Sequence, residues 1–195
     1  MPFFAAMISA SVWALGGSPT YSASIFAFSS IKAISQYTVE EILEMGIDGF
    51  WIGYEGTRSN YAKQQGRPIA DILSEFREHG ITVLTSMIVG FDYQTPEVVA
   101  GELAGLMKLK PALAQFLIYG PVPGTPFYEK VIKENLLQDV YTSDKDLFYR
   151  RGDGFRTMMK HPTLSAAEIE GLQRWCFEQD FQRLGPSIFR TLETQ

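Results

Sequence analysis

The sequence predicts an α/β fold: a partial parallel (βα) barrel of about four βα units, closed by a C-terminal helical arm. Three observations predict it. Short apolar runs bounded by turn residues alternate with amphipathic helical patterns at a spacing of roughly 25 to 35 residues, the cadence of repeated βα units. Helix-start signals recur where each helical pattern begins, at Thr38, Pro68, Thr95 and Thr125. The chain has 195 residues, whereas a closed eight-stranded barrel takes about 250. Two architectures fit, a compact open α/β domain or a piece of a larger partial barrel whose first strands lie elsewhere. The expected division is an atypical apolar lead over 1–24, the partial barrel over 25–136, and a loop with the helical arm over 137–195.

The first strand is expected at Ile25 to Phe28. Thr38 and Glu41 then form a capping-box pair, Val39, Ile42 and Leu43 supply an apolar face, and Gly46 ends the helix. Gly49 to Tyr54 is the second strand. A polar loop leads to Pro68, after which Ile69, Ile72, Leu73 and Phe76 recur at helical spacing until Gly80. Ile81 to Val89 is the third strand, and Thr95 with Pro96 opens a helix that carries Val99, Leu103, Leu106 and Met107. Pro111 breaks that helix before the fourth strand, Phe116 to Tyr119, an apolar run of the kind buried on both faces. Pro121 and Pro123 stiffen its exit, Gly124 permits close approach or positive φ, and Thr125 before Pro126 is an N-cap followed by N1. Beyond about residue 130 the cadence stops. Residues 137–162 are polar and turn-rich, and Ser165 with Glu168 forms a second capping box before a helix bearing Ile169, Leu172, Trp175 and Cys176.

The composition narrows the function classes. A net charge of −5 offers no general attraction to nucleic acid or anionic lipid, so no nucleic-acid partner is expected. Cys176 is the single cysteine, so this chain alone builds no disulfide framework, thiolate zinc site or cysteine-ligated iron–sulfur cluster. The apolar run from Pro2 to Gly17 has no Lys or Arg before Lys32 to make a signal-peptide n-region, and it is shorter than a membrane span. A cytoplasmic protein with no membrane span is expected.

In parallel α/β folds, ligand groups come from loops at the carboxyl ends of strands. Here those loops hold Ser29, Ser30, Glu55, Thr57, Arg67, Gly90, Asp92, Tyr93 and the Pro-Gly segment. Glu55, directly beyond an apolar strand, suits a hydroxyl or ammonium donor, or else is a surface acid. Arg67 enters a helix, where its charge opposes the dipole and favours an anion partner such as a carboxylate. His79 is read as a helix C-cap and His161 as a loop residue, neither with a second ligand at metal spacing. Gly152 to Gly154 is read as a turn, the methionines as packing residues, and Cys176 as a buried structural thiol.

The segments FWIGYEG, YAKQQGR, HGITVLTSMIVGFDYQTPE and FLIYGPVPGTPFYE resemble, in order and spacing, the later half of the radical S-adenosylmethionine core of cobalamin-binding radical SAM proteins. The resemblance covers roughly residues 25 to 130 and implies strands three to six of a six-unit partial barrel. In that family a 4Fe-4S cluster reduces S-adenosylmethionine to release a 5'-deoxyadenosyl radical. It implies that Glu55 contacts the nucleoside ribose and Arg67 the methionine carboxylate. It places Ile88 and Gly90 beside the adenine, with the backbone from Tyr119 to Pro121 along the adenine edge. The segment HPTLSAAEIEGLQRWCFEQDFQRLGPSIFR is similar to arms that follow the core in this group.

The departures count equally. Ser86 replaces the first glycine of the usual fifth-strand pattern and Tyr93 its terminal glutamate, and the family's three-cysteine and Gly-Gly-Glu-like segments are not in this sequence. The expected identity is therefore the carboxyl-terminal part of such an enzyme, truncated at its start and inactive alone, with the cluster and cobalamin belonging to the complete protein. The alternatives are a non-catalytic nucleoside-binding or scaffold module, and a small α/β enzyme using Glu55 as a general base. A truncation also implies an exposed sheet edge beside Ile25 to Phe28 and self-association through it.

Overall fold

The structure, a computed structural model, describes residues 6–9, 24–55 and 65–194, with only the backbone of 6–9. Thr57, residues 61–64 of the YAKQQGR segment and most of the lead segment lie outside the described residues.

The strands are β1 (Ala6–Ser9), β2 (Ser24–Ser29), β3 (Ile47–Gly53), β4 (Thr82–Val89) and β5 (Leu113–Ile118), and they form one sheet in sequential order. β2 to β5 are parallel. β1 pairs antiparallel with β2, from Ala6 opposite Ala27 to Ser9 opposite Ser24. The edge beside Ile25 to Phe28, expected to be open, is therefore paired from Ser24 to Ala27. Four main-chain positions of the lead segment satisfy backbone groups that a parallel neighbour would otherwise take.

Each crossover carries its helices where the capping residues put them. β2 leads to α1 (Ile31–Ile34), capped by Ser30, and α2 (Val39–Glu44), which has the reciprocal Thr38–Glu41 capping box. α3 (Ile69–Glu78) follows β3 with Pro68 at its N-cap. α4 (Pro96–Leu109) follows β4 with the Thr95 hydroxyl accepting from the Val98 N–H. α5 (Pro126–Lys133) follows β5 with the Thr125 hydroxyl accepting from the Tyr128 N–H at 3.2 Å. Val39 and Ile42 are buried in α2, but Leu43, expected on the same face, is 41% exposed because its position turns it away from the sheet.

Alternation along the strands gives each side of the sheet its own residues. Ala27, Phe50, Ile52 and Val83 form one core with Ile31, Ile34, Ile42, Ile72, Leu73 and Phe76 of α1 to α3. Met87, Val89, Phe116 and Ile118 form a second with Val99, Leu103 and Leu106 of α4. The arm helix α8 (Ala166–Leu184) belongs to that second core through Ile169 and Cys176, both buried. Its Ser165–Glu168 capping box is present. α8 also guards the outer edge of β5. The Gln173 side-chain amide donates to the Phe116 carbonyl at 2.7 Å and to the Gly154 carbonyl at 2.9 Å, and the Gly154 carbonyl also accepts from the Ile118 N–H at 2.7 Å. The Gly152 to Gly154 turn is thus an edge cover.

The segment read as a polar loop contains α6 (Asp139–Ser143) and α7 (Lys145–Arg151). They close a third core of Val131, Leu137, Tyr141, Phe148, Met158 and Met159, so these two methionines pack as expected, while Met45 is 46% exposed. The last helix, α9 (Ser187–Thr194), is held by Arg190, which pairs through both terminal nitrogens with the buried Asp180 at 3.0 and 2.7 Å. Among the described residues no helix is long and apolar enough to cross a membrane.

Cys176 lies wholly inside the second core, and burial pushes its thiol up to about 12. The native protein is expected to resist a disulfide reagent at about pH 8, with labelling appearing only as the chain unfolds. Rapid stoichiometric labelling of the folded protein, followed by absorbance, contradicts that packing.

Candidate functional site

Sequential parallel order sets the carboxyl ends of β3, β4 and β5 side by side, so the segments after them form one surface. Two N–H groups at the end of β3, those of Tyr54 and Glu55, donate to the Ser86 carbonyl of β4 at 2.7 and 3.1 Å. Just past β5, the Tyr119 N–H donates to the carbonyl of Val89, the last residue of β4, at 2.7 Å. The three tips are thus laced together by main-chain bonds.

Glu55 sits at this surface with φ 60°, left-handed for a residue that is not glycine, and is only 8% exposed. That backbone conformation costs about 1–2 kcal/mol. The reward is position: the chain turns back at Glu55, and its carboxylate lies over Gly53. A Cβ added at Gly53 would run into Glu55 Oε1, so any larger residue there displaces the carboxylate. Glu55 is a buried, oriented acid, and its alternative as a loose surface carboxylate is corrected by its burial.

The β4–α4 loop is organised by Gln94, fully buried and not singled out from the sequence. Its carbonyl oxygen accepts from the Gly90 N–H at 2.6 Å and the Phe91 N–H at 3.0 Å. Its amide nitrogen donates to the Ile88 carbonyl at 3.0 Å and to the buried Glu102 carboxylate at 2.7 Å. The Tyr93 hydroxyl donates to the other Glu102 oxygen at 3.3 Å. Burial first, and then the Glu102 charge, raises Tyr54 above its ordinary value. Glu102 falls on the apolar stripe of α4 between Val99 and Leu103, and an acid in that register is the signal the sequence offered.

His161 ties the arm to the same loop. Its Nδ1 accepts from the Thr163 and Leu164 N–H groups at 3.2 and 3.0 Å, which assigns the proton to Nε2, and Nε2–H donates to the Phe91 carbonyl at 2.9 Å. His79 is a helix C-cap as expected, with Nδ1 2.8 Å from the Glu75 carbonyl. Aromatic rings continue across the tips: Phe91 meets Tyr93 at 5.5 Å and Tyr119 at 4.6 Å between centroids, and Tyr119 meets Phe127 at 4.7 Å.

The sequence-selected residues divide into two groups. Glu55, Ile88, Gly90 and Tyr119 come together at the β3, β4 and β5 ends. Ile88 is half-buried on β4, Gly90 has φ 96° with its N–H held by Gln94, and Pro121 is buried at the start of the loop into α5. Arg67 lies toward α1 instead. Its N–H donates to the Ser35 hydroxyl at 2.9 Å, and its guanidinium pairs with Glu75 of α3. The carboxylate that its charge required is therefore present within the chain. Ser30 is spent as the α1 cap, and Asp92 is exposed. Among the described residues no group of three His, Cys, Asp or Glu side chains is placed to hold a metal.

No protein-family model matches the chain. It is similar to an uncharacterized methyltransferase of Pyrococcus horikoshii, 28% identical over 116 residues, 57% of this chain and 25% of the relative. The chain thus matches about a quarter of that relative's length. Among solved structures it is similar to the radical S-adenosylmethionine methyltransferase TsrM from Kitasatospora setae, determined with cobalamin and a [4Fe-4S] cluster bound. There the identity is 17% and the TM-score 0.46, over 77% of this chain and 29% of that one.

Gln94→Leu leaves two buried N–H groups and the Glu102 carboxylate without their partner, and is expected to lower the unfolding free energy by about 2–4 kcal/mol. A urea titration with an unchanged midpoint contradicts the network. Tyr54 is raised in the folded state, so its contribution is whole below its unfolded value of 10.0 and is lost as pH rises beyond it. Tyr54→Phe is expected to flatten the fall in thermal midpoint above that pH.

Proposed function

We propose that this chain forms the nucleoside-binding side of a radical S-adenosylmethionine methyltransferase core and acts within a larger protein. The observation that carries this is Glu55: a buried carboxylate at the end of a parallel strand, held in left-handed backbone and aimed over Gly53. An oriented acceptor of this kind suits the paired hydroxyls of a ribose, and charge-assisted bonds to it are the strong ones. The sequence resemblance supports the same role. Methyl transfer as the reaction class is taken from the name of the Pyrococcus relative.

Ile88, Gly90, Tyr119 and Pro121 supply the adenine side. The Gly90 N–H is engaged by Gln94, so the contribution of this loop is the shape of its backbone and the Phe91–Tyr119 rings rather than that donor. Arg67, whose guanidinium meets Glu75 beside α1, is given no part in this site.

A 4Fe-4S cluster does not fit this chain. Its one cysteine is buried in α8, its thiol pushed up to about 12, and no other cysteine is present to join it. Cluster and cobalamin are assigned to other parts of the complete protein, and no chemical step is assigned to the residues here. The same chemistry favours, for the isolated chain, a binding module without catalysis.

Titration calorimetry of the iron-free chain with S-adenosylmethionine tests the proposal. Saturable binding is expected, weakened about 10- to 100-fold by Glu55→Gln, the range for losing a bond to a charged group. Absence of binding by the unaltered chain, or equal binding by the variant, overturns it.

A further inference from the structure

The face of the sheet opposite the helical cores carries one polar row between two apolar ones. Register fixes the rows: Phe28, Trp51, Leu84 and Leu113 lie side by side, then Gly53, Ser86 and Gln115, then Ile88 and Leu117. Alternation puts all of these on one face, because their strand neighbours Ala27, Phe50, Ile52, Val83, Met87, Val89, Phe116 and Ile118 belong to the helix-covered cores. Gly53 brings no side chain to its row, but the Glu55 carboxylate lies where its Cβ would be. The row therefore reads Glu55, Ser86, Gln115 across three strands. Strands are about 4.8 Å apart, so the row spans about 10 Å, the width of a small molecule.

Gln115 is the reason to assign this row a ligand. Its Oε1 is buried and accepts no hydrogen bond among the described residues. Among the described residues the Thr82 and Thr85 hydroxyls are also buried without partners, but a hydroxyl rotates and either donates or accepts, whereas an amide oxygen only accepts. An obligate acceptor kept buried on a strand destabilises the fold unless a donor arrives from elsewhere. Beside it the rows are apolar and aromatic. Phe28 and Trp51 have ring centroids 4.5 Å apart, and Phe28 remains 37% exposed.

We propose that Ser86 and Gln115 form a substrate subsite taking a hydrogen-bond-donor group, a hydroxyl or an ammonium, of an otherwise apolar small molecule, with Glu55 closing the row on the nucleoside side. The assignment of the neighbouring ligand rests on the nucleoside reading of Glu55, while the subsite itself rests on Gln115 and the register. Trp51 and Phe28 provide the apolar wall, which also favours a cation over a ring face.

The test uses 2-phenylethanol, 2-phenylethylamine and the donor-free 2-phenylethyl methyl ether as probes. Binding is followed by nitrogen-resolved NMR at the Gln115 side-chain amide and the Ser86 N–H. A saturable shift with the alcohol, the amine or both is expected, and the pattern tells which donor the subsite takes. The ether is expected to give none. Gln115→Met, which keeps the volume and removes the acceptor, is expected to weaken the responding probe at least about tenfold and to leave the thermal midpoint equal or higher. Four results overturn the proposal: no shift with either donor probe, an equal shift with the ether, unchanged affinity in Gln115→Met, or a lower thermal midpoint in that variant. The last means that Oε1 has a structural partner. S-adenosylmethionine binding, read through Glu55→Gln, holds or fails separately from these arms.

Discussion

Parallel strands in sequential order constrain everything else in this chain. Each connection must cross back over the sheet, and when every crossover has the same right hand, the helices all arrive on the same face. β2 to β5 are parallel in sequential order, and the two large cores both lie on the helix side. Two consequences follow together. The strand ends gather at one surface, where Glu55 and the β4–α4 loop meet, and the opposite face keeps side chains that no core helix covers. The strand-end surface and the uncovered face are results of connectivity before they are results of particular residues.

Connectivity alone leaves the edges and tips loose, and buried or half-buried polar side chains fasten them. Gln94 takes two main-chain donors of the β4–α4 loop, Gln173 takes the β5 edge, and His161 and Arg190 anchor the arm. Gln94 and Gln173 are buried polar groups, for which an unmade bond costs more than a made bond contributes. Such bonds specify geometry more than they add stability. They hold Gly90, Phe91 and Tyr119 in one arrangement, and the Glu55 carboxylate is set by the same logic, a strained backbone kept because its surroundings leave it no alternative.

Much of the fold was legible because its signals are local. Thr38 with Glu41, Thr95 with Pro96, Thr125 with Pro126 and Ser165 with Glu168 satisfy orphan N–H groups within one turn, so a few letters suffice to read each helix start. Glu55 was legible as a candidate because position after an apolar strand is also local. Gln94, Glu102 and Gln115 were missed because their meaning depends on partners or on the lack of them. Arg67 shows the reverse: its misfit with the helix dipole correctly indicated a carboxylate, but only the turn of α3 shows that Glu75 supplies one. The stretch 137–162 was misread as loop because α6 and α7 are too short for a periodic pattern to emerge, and their burial comes from meeting α5.

By itself the sequence determined the alternation of strands and helices, the helix caps, the excess of negative charge and the single cysteine, since each depends on residue type and close neighbours. Only the tertiary structure decided that Ala6–Ser9 closes the β2 edge, that the arm helix is part of the second core, and that Glu55, Ser86 and Gln115 share one row. Those depend on strand register and on side chains far apart along the chain. Register is set by the sum of many weak packing contacts, which no single stretch of sequence contains.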